Sequence, residues 1–289
     1  MTGSKSEEGK PFRYCLNTST IRGQALALPE EADLAARAGY DGIEPWIREM
    51  DAHAAVGRAL EDVGKRVCDL GLSVESAIGF FEWVVDDDAL RLRGMEEARR
   101  NMEMCQRIGC ARLAAPPFGA TGLEGLDLGA AARRYRELME LGDAFGVTPV
   151  VEFWGISKSL SRLSEAVFGA LESGRPDACV LADVFHMFKG GSPYEGFRLL
   201  GPRTLALLHL NDFPAGRPHE TLTDADRVYP GDGAAPLARI LRDLHEAGWA
   251  GTLSLELFNE SYWRRDALAV ARTGLEKMQA CVEAALSGA

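Results

Sequence analysis

The chain of 289 residues carries 43 acidic and 32 basic side chains, which gives a formal net charge of −11, and 46% of its residues are apolar. This apolar fraction is that of a packed globular protein and excludes wholesale disorder. No apolar run approaches the ~20 residues of a membrane span, and the acidic excess opposes binding to nucleic-acid phosphates, so we expect neither a membrane nor a nucleic-acid partner.

The first residues lack the apolar segment of a secretory leader. We expect residues 1–11 to form a flexible N-terminal tail. The six cysteines form no C-x-x-C pair and show no other metal-ligand spacing. Free thiols without a leader are typical of a reducing compartment, which predicts a cytoplasmic protein.

Eight short apolar runs alternate with amphipathic helical stretches along the chain. Several helical stretches end in a glycine just before the next run, where a left-handed backbone costs glycine little. The predicted strands are residues 13–17, 42–46, 72–77, 112–115, 148–153, 178–183, 205–210 and 252–257. This alternation predicts the α/β class and a single (β/α)8 TIM barrel over residues 12–289.

Four successive strands each end in one side chain that can bind a metal. Active sites of such barrels lie at the C-terminal ends of the strands, so we expect the four to converge. Close together, they need a shared cation or protons to offset desolvation and like-charge repulsion. Three carboxylates and one imidazole favour one Mn²⁺, Mg²⁺ or Co²⁺ ion, with Zn²⁺ possible. The predicted ligands are Glu152, Asp183, His209 and Glu256.

The sequence around these residues resembles the xylose isomerase-like TIM-barrel superfamily of sugar phosphate isomerases and epimerases, and within it the inosose (2-keto-myo-inositol) isomerase type. The resemblance covers about residues 13–285. The loop TDADRVYPGDG is more specific to the inosose isomerase branch than the four ligands are. The segments that carry the resemblance are VEF (151–153), LADVFH (181–186), HLND (209–212), LTDADRVYPGDG (222–233) and LELFNESYW (255–263).

The resemblance implies a metal-dependent isomerase or epimerase of a small keto-sugar or keto-polyol, of the inosose or ketose type. Proton transfer would pass through an enediolate that the divalent cation stabilises. Glu152 and Glu256 would be the catalytic acid/base pair as well as metal ligands, whereas Asp183 and His209 would be ligands only. A homo-oligomer is possible, because relatives differ in oligomeric state.

Three further residues are predicted to bind the substrate. In the family pattern His186 contacts a substrate oxygen, and the alternative is a histidine of the barrel rim or one that supports the ligands. Arg227 is a candidate to hold a substrate hydroxyl or the enediolate oxygen. The alternative for Arg227 is a loop salt bridge with Asp224 or Asp226. Trp154 would wall the pocket, although large rings also close the tops of barrels.

The sequence is also compatible with three other functions. A 3-dehydroshikimate dehydratase would use a similar barrel and metal for elimination. An AP-endonuclease-like DNA-repair enzyme needs histidines on earlier strands, whereas the second and third strands here end in Glu44 and Glu75. These two glutamates would contact substrate, support the ligands or form a rim salt bridge. A non-catalytic sugar-binding barrel is opposed by the retention of both Glu152 and Glu256.

Overall fold

Eight parallel strands form one sheet in the computed structural model, which describes residues 10–287. Each strand ends within a few residues of its predicted end. The strands are β1 (Arg13–Asn17), β2 (Gly42–Glu44), β3 (Ser73–Val74), β4 (Arg112–Ala115), β5 (Thr148–Glu152), β6 (Val180–Asp183), β7 (Leu205–His209) and β8 (Thr252–Leu255).

The strand order is β3-β2-β1-β8-β7-β6-β5-β4, and the two outer strands meet through Ala77. The Ala77 N–H donates to the Arg112 carbonyl at 3.1 Å, and the Ala114 N–H donates to the Ala77 carbonyl at 2.9 Å. These bonds join β4 to the segment after β3. The predicted (β/α)8 barrel is therefore confirmed.

Helices connect the strands and cover the outside of the barrel. Six of the eight strands are shorter than predicted. The strand β2, for example, stops before Pro45, which has no N–H to donate to a ladder. The helices are α1 (Leu28–Ala38), α2 (Ile47–Ala55), α3 (Leu60–Asp69), α4 (Asp88–Ile108), α5 (Leu128–Asp143), α6 (Leu163–Glu172), α7 (Val184–Lys189), α8 (Leu237–Glu246), α9 (Glu260–Trp263) and α10 (Ala267–Leu286).

The glycines that precede strands have the backbone conformation expected for helix ends. Gly39 follows α1 with φ of 99°, and Gly109 follows α4 with φ of 79°. The N–H of each donates back to a carbonyl of the last helical turn. Glycine suits both positions because a side chain there would strain the backbone.

The barrel interior is divided into an apolar and a polar part. Ala114, Val150, Leu181 and Leu207, on the adjacent strands β4 to β7, form a small apolar cluster separate from the main core. The strands β1, β2 and β8 also carry buried polar residues, among them Asn17, Glu44 and Ser254. Because burying polar groups is costly unless they bond to each other, this part of the barrel is suited to hold a site.

Phe12 is 1% exposed and packs against Trp249 with ring centres 5.5 Å apart. Most of the predicted tail, residues 1–9, lies outside the described residues. Within residues 10–287, none of the helices has the length and apolar character needed to cross a bilayer.

Candidate active site

Three of the four predicted ligands converge at the C-terminal end of the barrel. One ligand atom from each of Asp183, His209 and Glu256 lies within 4.8 Å of the other two, and all three residues are buried. The His209 Nδ1 atom is 3.2 Å from the Glu256 Oε2 atom and 3.6 Å from the Asp183 Oδ2 atom. Strand ends β6 and β7 supply two of these residues, and the third follows β8.

A carboxylate behind His209 sets the tautomer of its ring. The His209 Nε2 atom lies 2.9 Å from the Glu44 Oε2 atom, so Nε2 donates its hydrogen to Glu44. The Nδ1 atom is buried, has no hydrogen-bond partner in residues 10–287, and faces Asp183 and Glu256. Metal-binding histidines commonly donate their other N–H to a carboxylate, so the donor set fits a divalent cation.

Electrostatics also favour a positive charge at this centre. Burial alone would lower the pKa of His209, but the negative charges of Glu256 and Glu44 outweigh it and raise that pKa well above its usual range. A metal ion held by the same carboxylates competes with that proton, because metal ligands must be deprotonated.

Glu44 is held in place by further bonds. Its Oε2 atom accepts from the Ser254 hydroxyl at 2.7 Å and from the Asn17 side-chain amide at 2.9 Å. The same amide donates to the Glu256 Oε1 atom at 3.2 Å. Of the alternatives for Glu44, these contacts favour support of the predicted ligands. Asn17 was not predicted as a site residue, although its place at the end of β1 was a signal.

Of the three roles predicted for Glu75, the structure shows a salt bridge. Its Oε1 atom is 3.1 Å from the Arg13 guanidinium, and its Oε2 atom accepts from the Thr252 hydroxyl at 2.9 Å. Arg13 and Thr252 begin β1 and β8, so these contacts lie at the opposite end of those strands from Asn17.

Arg227 lies among the predicted ligands and is 1% exposed. Its Nη1 atom donates to the Asp183 Oδ2 atom at 2.7 Å and to the Glu256 Oε2 atom at 2.9 Å. Its Nη2 atom donates to Asp224 at 2.7 Å, which is the predicted loop salt bridge. Burial would raise the pKa of Asp183, but Arg227 and neighbouring histidines lower it instead. Sequence reasoning did not anticipate these contacts with the ligands.

Two residues of the HLND segment hold parts of the site in place, Asn211 beside Asp183 and Asp212 beside the loop that follows Arg227. The Asn211 side-chain amide donates to the Asp183 Oδ2 atom at 2.9 Å, and its Oδ1 atom accepts from the Phe185 N–H at 2.9 Å. The Asp212 carboxylate accepts the N–H groups of Gly231 and Gly233, each at 3.0 Å. Asp212 thereby anchors the loop that follows Arg227. Sequence reasoning gave neither residue a role.

His186 is buried beside Asp183 and Arg227. Its Nε2 atom is 3.3 Å from the Arg227 Nη2 atom. A guanidinium only donates, so Nε2 accepts and Nδ1 carries the hydrogen. This Nδ1 atom is buried and has no partner within the described chain. Burial, together with the Arg227 charge, lowers the pKa of His186, so the neutral ring retains one unused donor.

Glu152 ends β5 and borders the same pocket as Glu256, but it is not one of the three converging groups. It is 4% exposed. Burial, reinforced by the charges of Glu256 and Asp183, raises the pKa of Glu152 to about 8. Carboxyl groups with raised pKa values in a cleft are candidates for acid/base chemistry.

A pocket of about 500 Å³ opens above these residues, a volume suited to a small ligand. His186 and Arg227 border it together with Trp154, whose ring meets that of Phe80 edge-on with centres 5.7 Å apart. The three predicted substrate-binding residues thus share one pocket. Its apolar walls are Trp46, Ile78, Phe80, Trp154, Ile156, Phe258 and Trp263.

Comparisons with known proteins agree with this architecture. The profile of the family described as "Xylose isomerase-like TIM barrel" matches residues 32–281. An inosose isomerase of Bacillus velezensis is 28% identical over 94% of this chain and 97% of its own length. A 3-dehydroshikimate dehydratase of Pseudomonas aeruginosa is 24% identical over 87% of this chain but only 39% of its own length.

Among solved structures, that of the IOLI protein with a binding zinc atom superimposes with a TM-score of 0.87. The alignment covers 96% of this chain and 100% of the other, at 22% identity. At that identity the superposition supports the fold, while the profile match covers most of the chain. The chain belongs to the xylose isomerase-like TIM barrel family.

Proposed function

We propose that the protein is a metal-dependent isomerase or epimerase that acts on a polyhydroxy ketone of the inosose or ketose type. The inosose isomerase relative supports an isomerase of this general kind. The observation that carries the proposal is the orientation of His209. Glu44 accepts its Nε2 hydrogen, and its unpartnered Nδ1 atom faces two buried carboxylates.

One divalent metal ion would be held by Asp183, His209 and Glu256, with Glu152 as the fourth ligand. Oxygen-rich ligands suit Mn²⁺, Mg²⁺ or Co²⁺, and the zinc in the IOLI structure makes Zn²⁺ a further candidate. When bound, the ion would supply Lewis-acid stabilisation of negative charge that develops on the ketone and hydroxyl oxygens.

The protein's own groups would bind the substrate and move the proton. The His186 Nδ1–H is a donor for a substrate oxygen, and the Arg227 guanidinium would add positive charge beside that oxygen. Trp154 would pack against the carbon skeleton of the substrate. Glu152 and Glu256 border the pocket from β5 and from the end of β8. One carboxylate would remove the proton next to the carbonyl, and the other would return it at the neighbouring carbon or on the opposite face.

The test begins with metal analysis of the purified protein. Inososes and ketohexoses are then incubated with it in deuterated water with each candidate metal. We expect metal-dependent isomerisation or epimerisation, with deuterium incorporated at the carbon that exchanges its proton. Glu152→Gln and Glu256→Gln are each expected to lower kcat by roughly 10²- to 10⁴-fold, the usual contribution of a general acid or base. Full activity in both variants would contradict the acid/base assignment.

A second candidate is a lyase of the 3-dehydroshikimate dehydratase type. It is favoured by the match to the Pseudomonas aeruginosa dehydratase over 87% of this chain. The same acid/base pair would then eliminate water instead of returning the proton to carbon. Turnover of 3-dehydroshikimate without turnover of any inosose or ketose would replace the isomerase proposal with this one.

We also propose that the protein is cytoplasmic. The free cysteines, four of which are buried, agree with a reducing compartment such as the cytoplasm. Light scattering of the purified protein tests for the homo-oligomer.

A further inference from the structure

Two arginines flank one indole ring in the same pocket as the predicted acid/base pair. The guanidinium carbon of Arg22 lies 4.3 Å from the centre of the Trp46 ring, and that of Arg48 lies 4.8 Å from it. All three residues border the pocket that Glu152 and Glu256 also line. Two cations beside one ring repel each other, and an anion bound near both would relieve this repulsion.

Aromatic rings position Arg22 without using its hydrogen-bonding capacity. Its guanidinium carbon is also 5.4 Å from the centre of the Phe258 ring and 5.9 Å from that of Trp263. Ring faces attract a guanidinium but offer no strong acceptor for its N–H groups. The Nε and Nη2 atoms of Arg22 are buried and have no hydrogen-bond partner in residues 10–287.

The neighbouring carboxylates do not neutralise the arginine pair. The Glu49 Oε2 atom accepts from the Thr18 hydroxyl at 2.6 Å and from the Trp46 N–H at 2.8 Å, while its Oε1 atom is 3.8 Å from Arg48. Burial, together with the charge of Glu49, raises the pKa of Glu31 to about 9, so Glu31 is neutral at pH 7. The buried Nε and Nη2 atoms of Arg22 therefore donate to neither of these carboxylates.

The arginine pair lies close to the reacting centre. The Phe258 ring that contacts Arg22 also contacts Arg227, whose guanidinium carbon is 5.1 Å from the ring centre. The Trp46 Nε1–H donates at 2.9 Å to Asn17, which in turn donates to Glu256. A small substrate that reaches Glu256 can therefore extend to the arginine pair within one pocket.

We propose that Arg22 and Arg48 form a subsite for an oxyanion on the substrate, a carboxylate or a phosphate group placed away from the reacting ketone. Guanidinium groups bind both kinds of oxyanion through paired N–H donors. The inference rests on the proposed function for the nature of the reacting end, and it narrows the substrate class to anionic polyhydroxy ketones.

The test is calorimetric binding to the metal-loaded protein. D-Fructose and D-fructose 6-phosphate form a pair that differs only by phosphate, and 3-dehydroshikimate is compared with the neutral 2-keto-myo-inositol for the carboxylate case. We expect at least one anionic ketone to bind about tenfold or more tightly than its neutral counterpart, as charged hydrogen bonds permit. Whichever anion shows this preference identifies the group that the subsite takes.

Variants then assign the preference to the arginines. In Arg22→Met and in the Arg22→Met/Arg48→Met double variant, the anionic ketone should lose most of its advantage while the neutral ketone binds as before. Arg99→Met, which removes an exposed arginine of α4, is the matched control and should keep the preference. Circular dichroism of each variant verifies that it is folded.

The outcomes separate this inference from the proposed function. Equal binding of neutral and anionic ketones, or an anion preference that persists in the double variant, would overturn the subsite. Isomerisation of neutral ketones with no anion preference would also overturn it, while leaving the proposed function intact. Binding of anions that depends on Arg22, without isomerisation of any ketone, would support the subsite and contradict the proposed function.

Discussion

The Glu44 Oε2 atom accepts a hydrogen bond from the His209 Nε2 atom at 2.9 Å, and both side chains are completely buried. Glu44 ends β2 and His209 ends β7, and β1 and β8 lie between these strands in the sheet. The contact therefore crosses the barrel interior. It directs the His209 Nδ1 atom toward Asp183 and Glu256, so the geometry of the candidate metal site depends on a residue outside the ligand set.

Replacing Glu44 is expected to weaken metal binding. Glu44→Gln keeps the size of the side chain but removes the charge that holds the His209 N–H, so we expect a loss of roughly 10- to 100-fold in Mn²⁺ or Zn²⁺ affinity. Competition with a chelating dye measures this affinity. Glu75→Gln changes a buried glutamate that contacts Arg13 and Thr252 but none of the predicted ligands, and it should change metal affinity little. Unchanged affinity in Glu44→Gln would show that Glu44 has no influence on the site.

Arg227 balances the charge of two predicted ligands, and we expect its removal to destabilise the metal-free protein. Arg227→Met removes the buried cation that pairs with Asp183 and Glu256, and breaking a buried ion pair in this way costs about 3–5 kcal/mol of unfolding free energy. Urea unfolding measures the loss. Adding Mn²⁺ should reduce it, because the cation restores the balance of charge.

The control for this prediction is Arg217→Met in the same loop. Arg217 pairs with Asp226 on the surface, with 43% and 25% of the two side chains exposed, so its loss should cost less than about 1 kcal/mol. If both variants lost the same amount, the burial of Arg227 would not matter energetically.

Glu31 is expected to make stability depend on pH. Its pKa is about 9 in the folded protein against an ordinary value of 4.5, because it is buried and lies near the charge of Glu49. Between these values the unfolded chain has released this proton and the folded protein has kept it. The contribution of Glu31 to the free energy of unfolding therefore falls as pH rises from about 5 to 9, by at most about 1.4 kcal/mol per pH unit.

Glu31→Gln removes this titration, so its stability relative to the unmodified protein should increase steadily across that window. Urea unfolding at several pH values measures the difference. Glu276→Gln, an exposed glutamate of α10, serves as the control and should give a constant difference. A constant difference for Glu31→Gln as well would mean that Glu31 ionises normally in the folded protein.

The loop that carries Arg227 requires glycine at position 233. A Cβ atom at Gly233 would collide with the Asp212 carboxylate and the Phe213 carbonyl, and Asp212 anchors this loop. Gly233→Ala is expected to cost about 1–3 kcal/mol and to raise KM, which thermal unfolding and steady-state kinetics measure. The added Cβ of Gly122→Ala would meet nothing within 4 Å, so this substitution should change neither stability nor KM. Equal effects of the two substitutions would contradict the steric explanation.

Much of the fold was predictable because its signals are local. Apolar runs buried on both faces predict strands of a parallel sheet, and glycines such as Gly39 predict the helix ends before them. The same alternation predicted that Asp183, His209 and Glu256 would meet, since strand ends of a barrel converge. The short extent of β3 was not predictable, because the residues that follow it form isolated bridges with the neighbouring segments, Ala77 with Leu113 and Ile78 with Trp46.

The sequence by itself determined the (β/α)8 barrel and the position of the candidate ligands at its strand ends. The reason is that hydrophobic periodicity and the alternation of strands with helices are local features of the chain. Only the tertiary structure decided which distant groups touch. The bond from His209 to Glu44, the insertion of Arg227 between Asp183 and Glu256, and the placement of Arg22 against Trp46 all join residues from separate elements. Barrel closure creates these contacts, so no local pattern in the sequence contains them.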